Sequence, residues 1–318
     1  MMTLIAGSYE RFIWGFSLRP SASETLTLAP LFSYPSHAAP IKCAASLFPI
    51  AATGSADDSI RLYDLSLSSE LGSLLDHAAP VTSLSFFSSP LAPSIARNLV
   101  SASADGNICI YDAGDRFVHL KTVPVHRKGV ADLAVHPSGR LALTVGRDAG
   151  IGMVNLVRGR RSFLGKLDRE AEIVRYGDGG AERFFLVRDE RISVHDSEDA
   201  RVLAEMDGGR RVLSAAVGES GLLFTGGEDR NVTAWDTTSG KVAYCIDGAH
   251  SARVKGLVVF KKKSDDQTCE APNVLASAAS DGVIRVWDLR MITKEKPNPL
   301  AEANTKSRLT CLAGSSSK

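Results

Sequence analysis

One six-residue step recurs along this chain and constrains its fold more than any other feature. An Asp is followed six positions later by Tyr or Trp and then by a second Asp, and short alternating apolar residues lead into the aromatic residue. The four intact copies begin at Asp57, Asp105, Asp229 and Asp281. Apolar alternation between turn residues is typical of short β-strands. A single supersecondary unit is therefore repeated along the chain.

Two degraded copies complete the series. Asp148 is followed by Val154 and Asn155, and Asp189 is followed by His195 and Asp196. The six anchoring Asp residues lie 40 to 52 residues apart, a period typical of the four-stranded blades of a WD40 β-propeller. Because propellers of this length form one domain, the sequence predicts an all-β, single-domain WD40 propeller over residues 1–318.

The residue types around each anchor predict a buried polar relay. A Ser or Thr stands four positions before every anchor except in the fourth copy, where Phe185 replaces it. Asp favours tight turns because its carboxylate accepts hydrogen bonds from nearby backbone N–H groups, and a His from the loop before the blade would complete the network. Such a network is stabilising only when its members are satisfied. The predicted relay residues are Thr53, Asp57 and Tyr63 with His37; His77, Ser101, Asp105 and Tyr111; His126, Thr144 and Asp148; Thr225, Asp229 and Trp235; and His250, Ser277, Asp281 and Trp287.

The copies differ in how completely they carry this relay. Only the sixth has all four residue types with Trp, because Tyr replaces Trp in the first two copies and Val154 removes the aromatic ring from the third. The fourth and fifth copies lack an evident His. We therefore expect the fourth blade, around residues 174–196, to be the most irregular.

The two ends of the chain are predicted to form a seventh blade together. Blades one to six fall within residues 36–303, which leaves residues 1–35 and 304–318. Residues 308–312 are expected to form the first strand of this blade, and residues 3–7, 12–18 and 26–32 the other three. Open strand edges are avoided in native proteins. The sequence thus predicts seven blades, closed by one that both termini share.

Composition bounds the class of protein. With 44% hydrophobic and 23% charged residues, the chain has the make-up of a globular protein with a sizeable core. A net charge of +1 provides no overall attraction to nucleic acid. No signal peptide or membrane span is visible, and five scattered cysteines without paired spacing indicate a reducing compartment. A membrane partner is therefore not expected.

The sequence contains no enzyme signature. It has no phosphate-binding loop, no nucleophile elbow and no metal-ligand spacing, so we predict no catalytic, cofactor or metal site and no small-molecule substrate. His195 stands where its copy needs an aromatic ring. We interpret it as a filler, because a single His without partners makes no metal site.

Loop geometry suggests where partners would bind. If each His meets its turn Asp, both loops lie on one face of the propeller, and Arg147, Arg188 and Glu228 beside the anchors point toward it. Residues 136–140 and 261–272 would lie on the opposite face. Direct RNA binding, which weakens with salt, is a hypothesis for Arg147, Arg188 and the basic cluster 158–161; Lys261–Lys263 is a further basic run.

An alternative interpretation rests on the end of the sixth copy. Trp287-Asp288-Leu289-Arg290 matches the pattern of WD proteins that serve as substrate-receptor adaptors of cullin-type ubiquitin ligases. Arg290, following the third strand, would be exposed to an acidic partner. Since the blade itself demands Trp and Asp, only Arg290 adds information.

Several segments resemble one family of WD-repeat proteins, the p21-activated-kinase-interacting protein 1 family. The similarity runs in order over nearly the whole chain, and its most specific parts are the terminal segments. It implies a non-enzymatic scaffold in nucleolar assembly of the large (60S) ribosomal subunit and in pre-rRNA processing, located in the nucleus and nucleolus. It also implies pre-ribosomal proteins, pre-rRNA and p21-activated kinases as partners. The kinases would be inhibited by the protein. The protein itself would be a monomer within a larger assembly. The segments are residues 6–10, 15–16, 136–143, 145–146, 155–157, 304–305 and 308–312.

Overall fold

The computed structural model describes residues 2–20, 26–89, 92–178, 182–260, 273–290 and 297–316. Its regular elements are 28 β-strands, arranged in seven antiparallel four-stranded sheets. The prediction of a seven-bladed WD40 propeller is confirmed. No helix in this part of the chain is long and apolar enough to cross a membrane.

Six blades are built from strands that follow one another along the chain. The first three are β4 (Ile41–Leu47), β5 (Ile50–Ser55), β6 (Ile60–Asp64) and β7 (Ser69–Leu74); β8 (Val81–Ser89), β9 (Ala92–Ser103), β10 (Asn107–Asp112) and β11 (Val118–Pro124); and β12 (Val130–Val135), β13 (Leu141–Gly146), β14 (Gly150–Asn155) and β15 (Arg160–Lys166). The next three are β16 (Ile173–Tyr176), β17 (Arg183–Arg188), β18 (Arg191–Asp196) and β19 (Val202–Asp207); β20 (Val212–Val217), β21 (Leu222–Gly227), β22 (Val232–Asp236) and β23 (Lys241–Ile246); and β24 (Val254–Phe260), β25 (Val274–Ala279), β26 (Val283–Asp288) and β27 (Ala301–Asn304).

The seventh blade joins the two ends of the chain, as predicted. Its strands are β28 (Leu309–Ser316), β1 (Met2–Ser8), β2 (Phe12–Pro20) and β3 (Leu26–Pro35), in that order across the sheet. Leu4 of β1 lies opposite Gly314 on one side and Phe16 on the other. Asn304, which the sequence placed in this blade, is the last residue of β27 in the sixth blade.

The core lies between neighbouring blades. Alternating apolar residues place one side chain of each pair against the adjacent sheet, and buried Leu62 of the first blade packs in one cluster with Leu99 and Tyr111 of the second. Leu4 and Leu312 of the closing blade are buried with Val286 of the sixth. Closure therefore buries apolar surface as well as pairing the terminal strands.

A β-bulge begins the first strand of six blades. One residue at that point has no partner on the second strand, and such bulges re-aim a side chain. The bulged residues are Lys42, Thr82, Ala131, Leu213, Lys255 and Thr310. In the fourth blade Ile173 and Val174 pair continuously with β17. The expectation that the fourth blade is the most irregular is therefore wrong for its described strand pairing; its polar network is what differs.

Two faces can be defined from the strand directions. The relay face carries the loops before each first strand and the turns between second and third strands. The opposite face carries the other two sets of loops. Antiparallel strands place these sets at opposite ends of each blade, so every anchoring Asp lies on the relay face.

Candidate functional site

The first blade holds a relay that is connected from end to end. His37 lies in the loop before β4, and its Nδ1 is 3.1 Å from Asp57 Oδ2 while its Nε2 is 2.9 Å from Thr53 Oγ1. Thr53 Oγ1 is in turn 3.1 Å from the hydroxyl of Tyr63. The chain of donors runs from Tyr63 through Thr53 and His37 to the carboxylate, so every member is satisfied.

The second and third blades hold relays of the same polar residue types, a His, a Ser or Thr, and an Asp. In the second blade His77 bonds Asp105 at 3.0 Å and Ser101 at 2.7 Å, with Tyr111 fully buried beside them. In the third blade, His126 Nδ1 lies 2.9 Å from an Asp148 oxygen, and His126 Nε2 lies 2.9 Å from Thr144 Oγ1.

The sixth blade, which the sequence count makes the complete one, lacks the bond between His and Asp. His250 Nε2 lies 2.7 Å from Ser277 Oγ, which also accepts the Trp287 indole N–H at 2.9 Å. His250 Nδ1 has no partner among the described residues. Asp281 instead accepts the hydroxyl of Ser251. The sixth copy therefore has all four residue types but incomplete bonding, whereas the relay of the first blade is bonded from end to end.

The fifth blade retains half of the relay. The Trp235 indole N–H donates to Thr225 Oγ1 at 2.8 Å, but no His reaches Asp229, which accepts a backbone N–H from Asn231. Burial raises the pKa of Asp229. This shift is opposite to that of the other anchoring Asp residues whose pKa departs from the usual range.

The fourth blade replaces the relay with a different network. Arg188 forms an ion pair with Asp168 and donates to Ser193 Oγ at 3.1 Å. Ser193 is 2.8 Å from His195 Nε2, while His195 Nδ1 donates to the carbonyl of Ala200. His195 also stacks on the ring of Phe184. It is a buried structural residue, and Arg188, predicted to bind a partner, is engaged inside the blade.

Burial and hydrogen bonding shift the relay pKa values in opposite directions. Burial would raise the pKa of Asp57, but hydrogen bonds from Ser59 and from the Ala38 N–H, together with His37, lower it to about 2. Burial lowers the pKa of His37 despite the nearby carboxylate. In the sixth blade burial lowers the pKa of His250 to about 4. The first and sixth blades therefore hold a neutral imidazole near an ionised carboxylate.

The relays contain the side-chain types of a hydrolytic triad without its access. In the second blade His77 contacts both Ser101 and Asp105, but the Ser101 side chain is fully buried. A nucleophile must reach its substrate. Nowhere in the described residues do three His, Cys, Asp or Glu side chains group as a metal site. The relays are therefore structural elements.

The first strands of all seven blades line a central channel. Near the relay face it widens into a cavity of about 230 Å³. At one level along the channel, the first strands of six blades carry Ala or Leu. At the equivalent position the fourth blade carries Arg175. Arg175 forms an ion pair with Asp132, which also accepts the Ser83 hydroxyl at 2.7 Å and the Val174 N–H at 3.0 Å. This cluster joins three consecutive blades.

Charged side chains surround the channel mouth on the relay face. Lys42 and Lys255, two of the bulged residues, line the cavity together with Glu172. Glu172 accepts a hydrogen bond from Arg211 at 2.8 Å. Glu228, predicted to bind a partner, pairs with Arg253 at 3.5 Å.

A basic patch occupies the third blade of the relay face. We define it as Arg127, Lys128 and Arg147, all three exposed. Arg147, a predicted partner-binding residue, is thus brought together with two residues that the sequence analysis did not select. The sequence feature that could have identified Arg127 and Lys128 is their position directly after His126, in the loop before the blade. Basic residues around 158–161 lie elsewhere: Arg158 is in a loop of the opposite face, and β15 begins at residue 160.

The remaining predicted site residue, Arg290, lies on the opposite face. Its guanidinium forms a two-point contact with Asp288, at 2.8 Å between Nη2 and Oδ2 and 3.0 Å between Nε and Oδ1. The predicted partner-binding residues are therefore not one site. Lys261–Lys263 and residues 261–272 lie outside the described residues.

Sequence comparison agrees with this architecture. The chain matches the family described as WD domain, G-beta repeat at residues 28–64, 68–112, 117–152 and 244–288. These segments cover the first, second, third and sixth copies of the repeat and leave out the fourth and fifth. Fold, relays and matches together define a WD-repeat β-propeller protein.

Relatives narrow this class to one family. The chain is 34% identical to "p21-activated protein kinase-interacting protein 1-like" of Danio rerio over 309 residues, which covers 97% of this chain and 79% of that protein. It is 35% identical to "p21-activated protein kinase-interacting protein 1" of Mus musculus, covering 98% and 78%. It is 28% identical to "Protein MAK11" of Saccharomyces cerevisiae, covering 97% and 82%. The chain belongs to the p21-activated protein kinase-interacting protein 1 family.

Proposed function

We propose that this chain is a non-enzymatic scaffold in the assembly of the large ribosomal subunit and in pre-rRNA processing, and that it works in the nucleolus. The observation that carries the proposal is similarity to one family along 97% of the chain, including the terminal segments that make the closing blade. Polar residues that could suggest chemistry are engaged in structural relays. A protein of this kind acts by holding partners together.

The basic patch is the surface we assign to the pre-ribosomal particle. Arg127, Lys128 and Arg147 are exposed and make no ion pair within the described residues. Positive side chains at adjacent loop positions attract RNA phosphates or acidic protein segments. Arg188, engaged inside the fourth blade, is not part of this surface.

The test is recovery of pre-ribosomal particles with a tagged chain. Large-subunit precursors should co-purify with the unaltered protein and stain with it in the nucleolus. Charge reversal by Arg127→Glu with Arg147→Glu should reduce recovery at least fivefold. The matched control, Arg140→Glu with Arg201→Glu, changes the same charge on the opposite face and should leave recovery unchanged. Equal recovery with both pairs would exclude the basic patch, and absence of precursors with the unaltered chain would refute the role.

Binding to a p21-activated kinase is a second candidate function. The names of the zebrafish and mouse relatives, which describe kinase-interacting proteins, support it. Purified chain and purified kinase should form a complex on size-exclusion chromatography, and the complex should show reduced kinase activity. Recovery of a cullin adaptor instead, lost on Arg290→Ala, would favour the ubiquitin-ligase alternative, for which the relatives offer no support.

A further inference from the structure

Two lysines at the mouth of the central channel form no ion pair within the described residues. Lys42 begins the first strand of the first blade and Lys255 that of the sixth, and both line the cavity of about 230 Å³. The closing blade lies between them in the ring, where Thr310 holds the corresponding bulged position. Neither ammonium group forms a hydrogen bond or ion pair with the described residues. The bulges therefore present two free positive charges at one opening.

The acidic groups of this cavity are already engaged. Asp132 holds Arg175, the Ser83 hydroxyl and the Val174 N–H, and Glu172 is paired with Arg211. Outside the cavity, Glu228 is paired with Arg253. No carboxylate of the described lining is left for the two lysines.

The two lysines also lie in an unfavourable electrostatic environment. Burial lowers the pKa of Lys255, Arg253, Arg211 and Lys42 lower it further, and the nearby Glu228 only partly opposes them. Like charges held together at a partly buried position repel one another. An anionic group placed between them would relieve this repulsion, so the charges at the mouth favour an acidic ligand.

Arg175 extends this positive surface into the channel. Its Nη1 donates to Asp132 and to the carbonyl of Val174, which leaves Nε and Nη2 without a partner among the described residues. The side chain is 36% exposed, against 9% for Asp132. An acidic side chain entering between the lysines would meet these N–H groups.

The size and lining of the cavity indicate the class of ligand. The mouth has a volume of about 230 Å³ and continues into a further part of the channel of about 530 Å³, with Arg175 lining both. Single-stranded RNA is bound by stacking its bases on aromatic side chains, and none of the residues that line the mouth is aromatic. A positively charged mouth without aromatic side chains suits the acidic side chains of an extended peptide.

We propose that the mouth of the central channel binds an acidic, extended peptide segment of a partner protein, with Lys42 and Lys255 contacting its carboxylates at the rim and Arg175 receiving one carboxylate inside. Charge complementarity decides the occupant. The site is distinct from the basic patch of the third blade, and it does not depend on a role in ribosome assembly.

Fluorescence polarisation with a labelled ten-residue peptide of alternating Glu and Gly tests the site on the purified full chain. Binding should be measurable at low salt and should weaken as salt screens the charges. Lys42→Gln with Lys255→Gln should weaken binding at least tenfold. Arg169→Gln with Arg230→Gln removes the same charge from exposed loops of the same face, outside both the channel and the basic patch, and should change it less than twofold.

Three results would overturn the proposal. They are no binding by the unaltered chain, equal weakening by both variant pairs, and tighter lysine-dependent binding of a single-stranded RNA of equal charge. Because both lysines are at least partly exposed, the variants should keep the unaltered melting temperature. If the double variant does not fold, the single variants Lys42→Gln and Lys255→Gln are each expected to weaken binding about threefold.

Discussion

Asp132 in the third blade forms an ion pair with Arg175 in the fourth, inside the channel that the seven first strands enclose. Ser83 of the second blade donates to the same carboxylate at 2.7 Å. Neighbouring first strands are also joined by uncharged hydrogen bonds, such as those from Thr82 to the Val130 carbonyl and from Thr310 to the Ile41 carbonyl, and the ion pair adds a charged link between blades. Breaking half of such a pair leaves a poorly solvated charge, which costs more than removing both charges.

Replacing Arg175 alone should therefore destabilise the fold. Arg175→Leu installs the residue that the second and third blades carry at this ring, and we expect it to lower the free energy of unfolding by about 2–3 kcal/mol. Urea denaturation measures this change. Adding Asp132→Ser, which copies Ser83 and Ser214, should recover about 1 kcal/mol. A double variant as unstable as the sum of its single variants would contradict a coupled pair.

The anchoring Asp residues should differ in their contribution to stability. Asp57 accepts hydrogen bonds from His37, Ala38 and Ser59, whereas Asp281 accepts them from Ser251 and Val283. Because hydrogen bonds to charged groups are worth about 1.5–3 kcal/mol, Asp57→Ala should cost about 3 kcal/mol and Asp281→Ala about half as much. Chemical denaturation of the two variants makes the comparison. A larger loss in the Asp281 variant would show that the sixth relay is the stronger one.

Stability should fall as the pH is lowered from about 6.5 to 4. The pKa of His250 is lowered to about 4 in the folded protein, so between that value and the unfolded value of 6.5 the unfolded chain binds more protons. By linkage, stability then increases with pH in this window and is lost on acidification. The effect of His250 at pH 4 is about 3 kcal/mol. Burial lowers the pKa of His37, His126 and His195 in the same direction.

Melting temperature measured against pH checks this assignment. His250→Gln should have a shallower dependence between pH 6.5 and 4 than the unaltered chain. Substituting His119, which is exposed on β11, is the matched control. The low pKa of Asp57, about 2, acts below this window, because its stabilising effect is lost only as the pH falls below about 4. Parallel curves for both proteins would mean that His250 does not titrate in this range.

The closing blade should be sensitive to the smallest change where it meets the sixth. A Cβ added to Gly256 would lie 2.4 Å from Leu312 Cβ and 2.6 Å from the Leu312 backbone nitrogen. Because backbone must shift to admit it, Gly256→Ala should cost about 2 kcal/mol or more. Gly114→Ala, where the added atom would be 3.3 Å from one Asp112 oxygen, should be nearly neutral. Deleting residues 305–318 should abolish the cooperative thermal transition, and unchanged melting would refute closure by β28.

Much of the scaffold could be predicted because its signals are local. The turn Asp, the hydroxyl four residues before it and the aromatic residue six after it belong to one hairpin, so their spacing survives in any copy that keeps the hairpin. Bonding within each relay was less predictable. His250 has the expected neighbours, yet its Nδ1 lacks a partner while Ser251 takes the carboxylate of Asp281. Donor direction and small displacements decide such bonds, and residue types do not encode them.

The sequence by itself determined the number of blades, their order and the strand that closes them, since each follows from a repeated hairpin and from ends that must pair. The tertiary structure alone decided which charges meet. Lys42 and Lys255 are more than 200 residues apart in the chain but line one cavity, and the largely buried Arg188 is paired with Asp168 and bonded to Ser193. Closing a ring brings the starts of seven first strands to one opening, and no local spacing records which side chains those starts present.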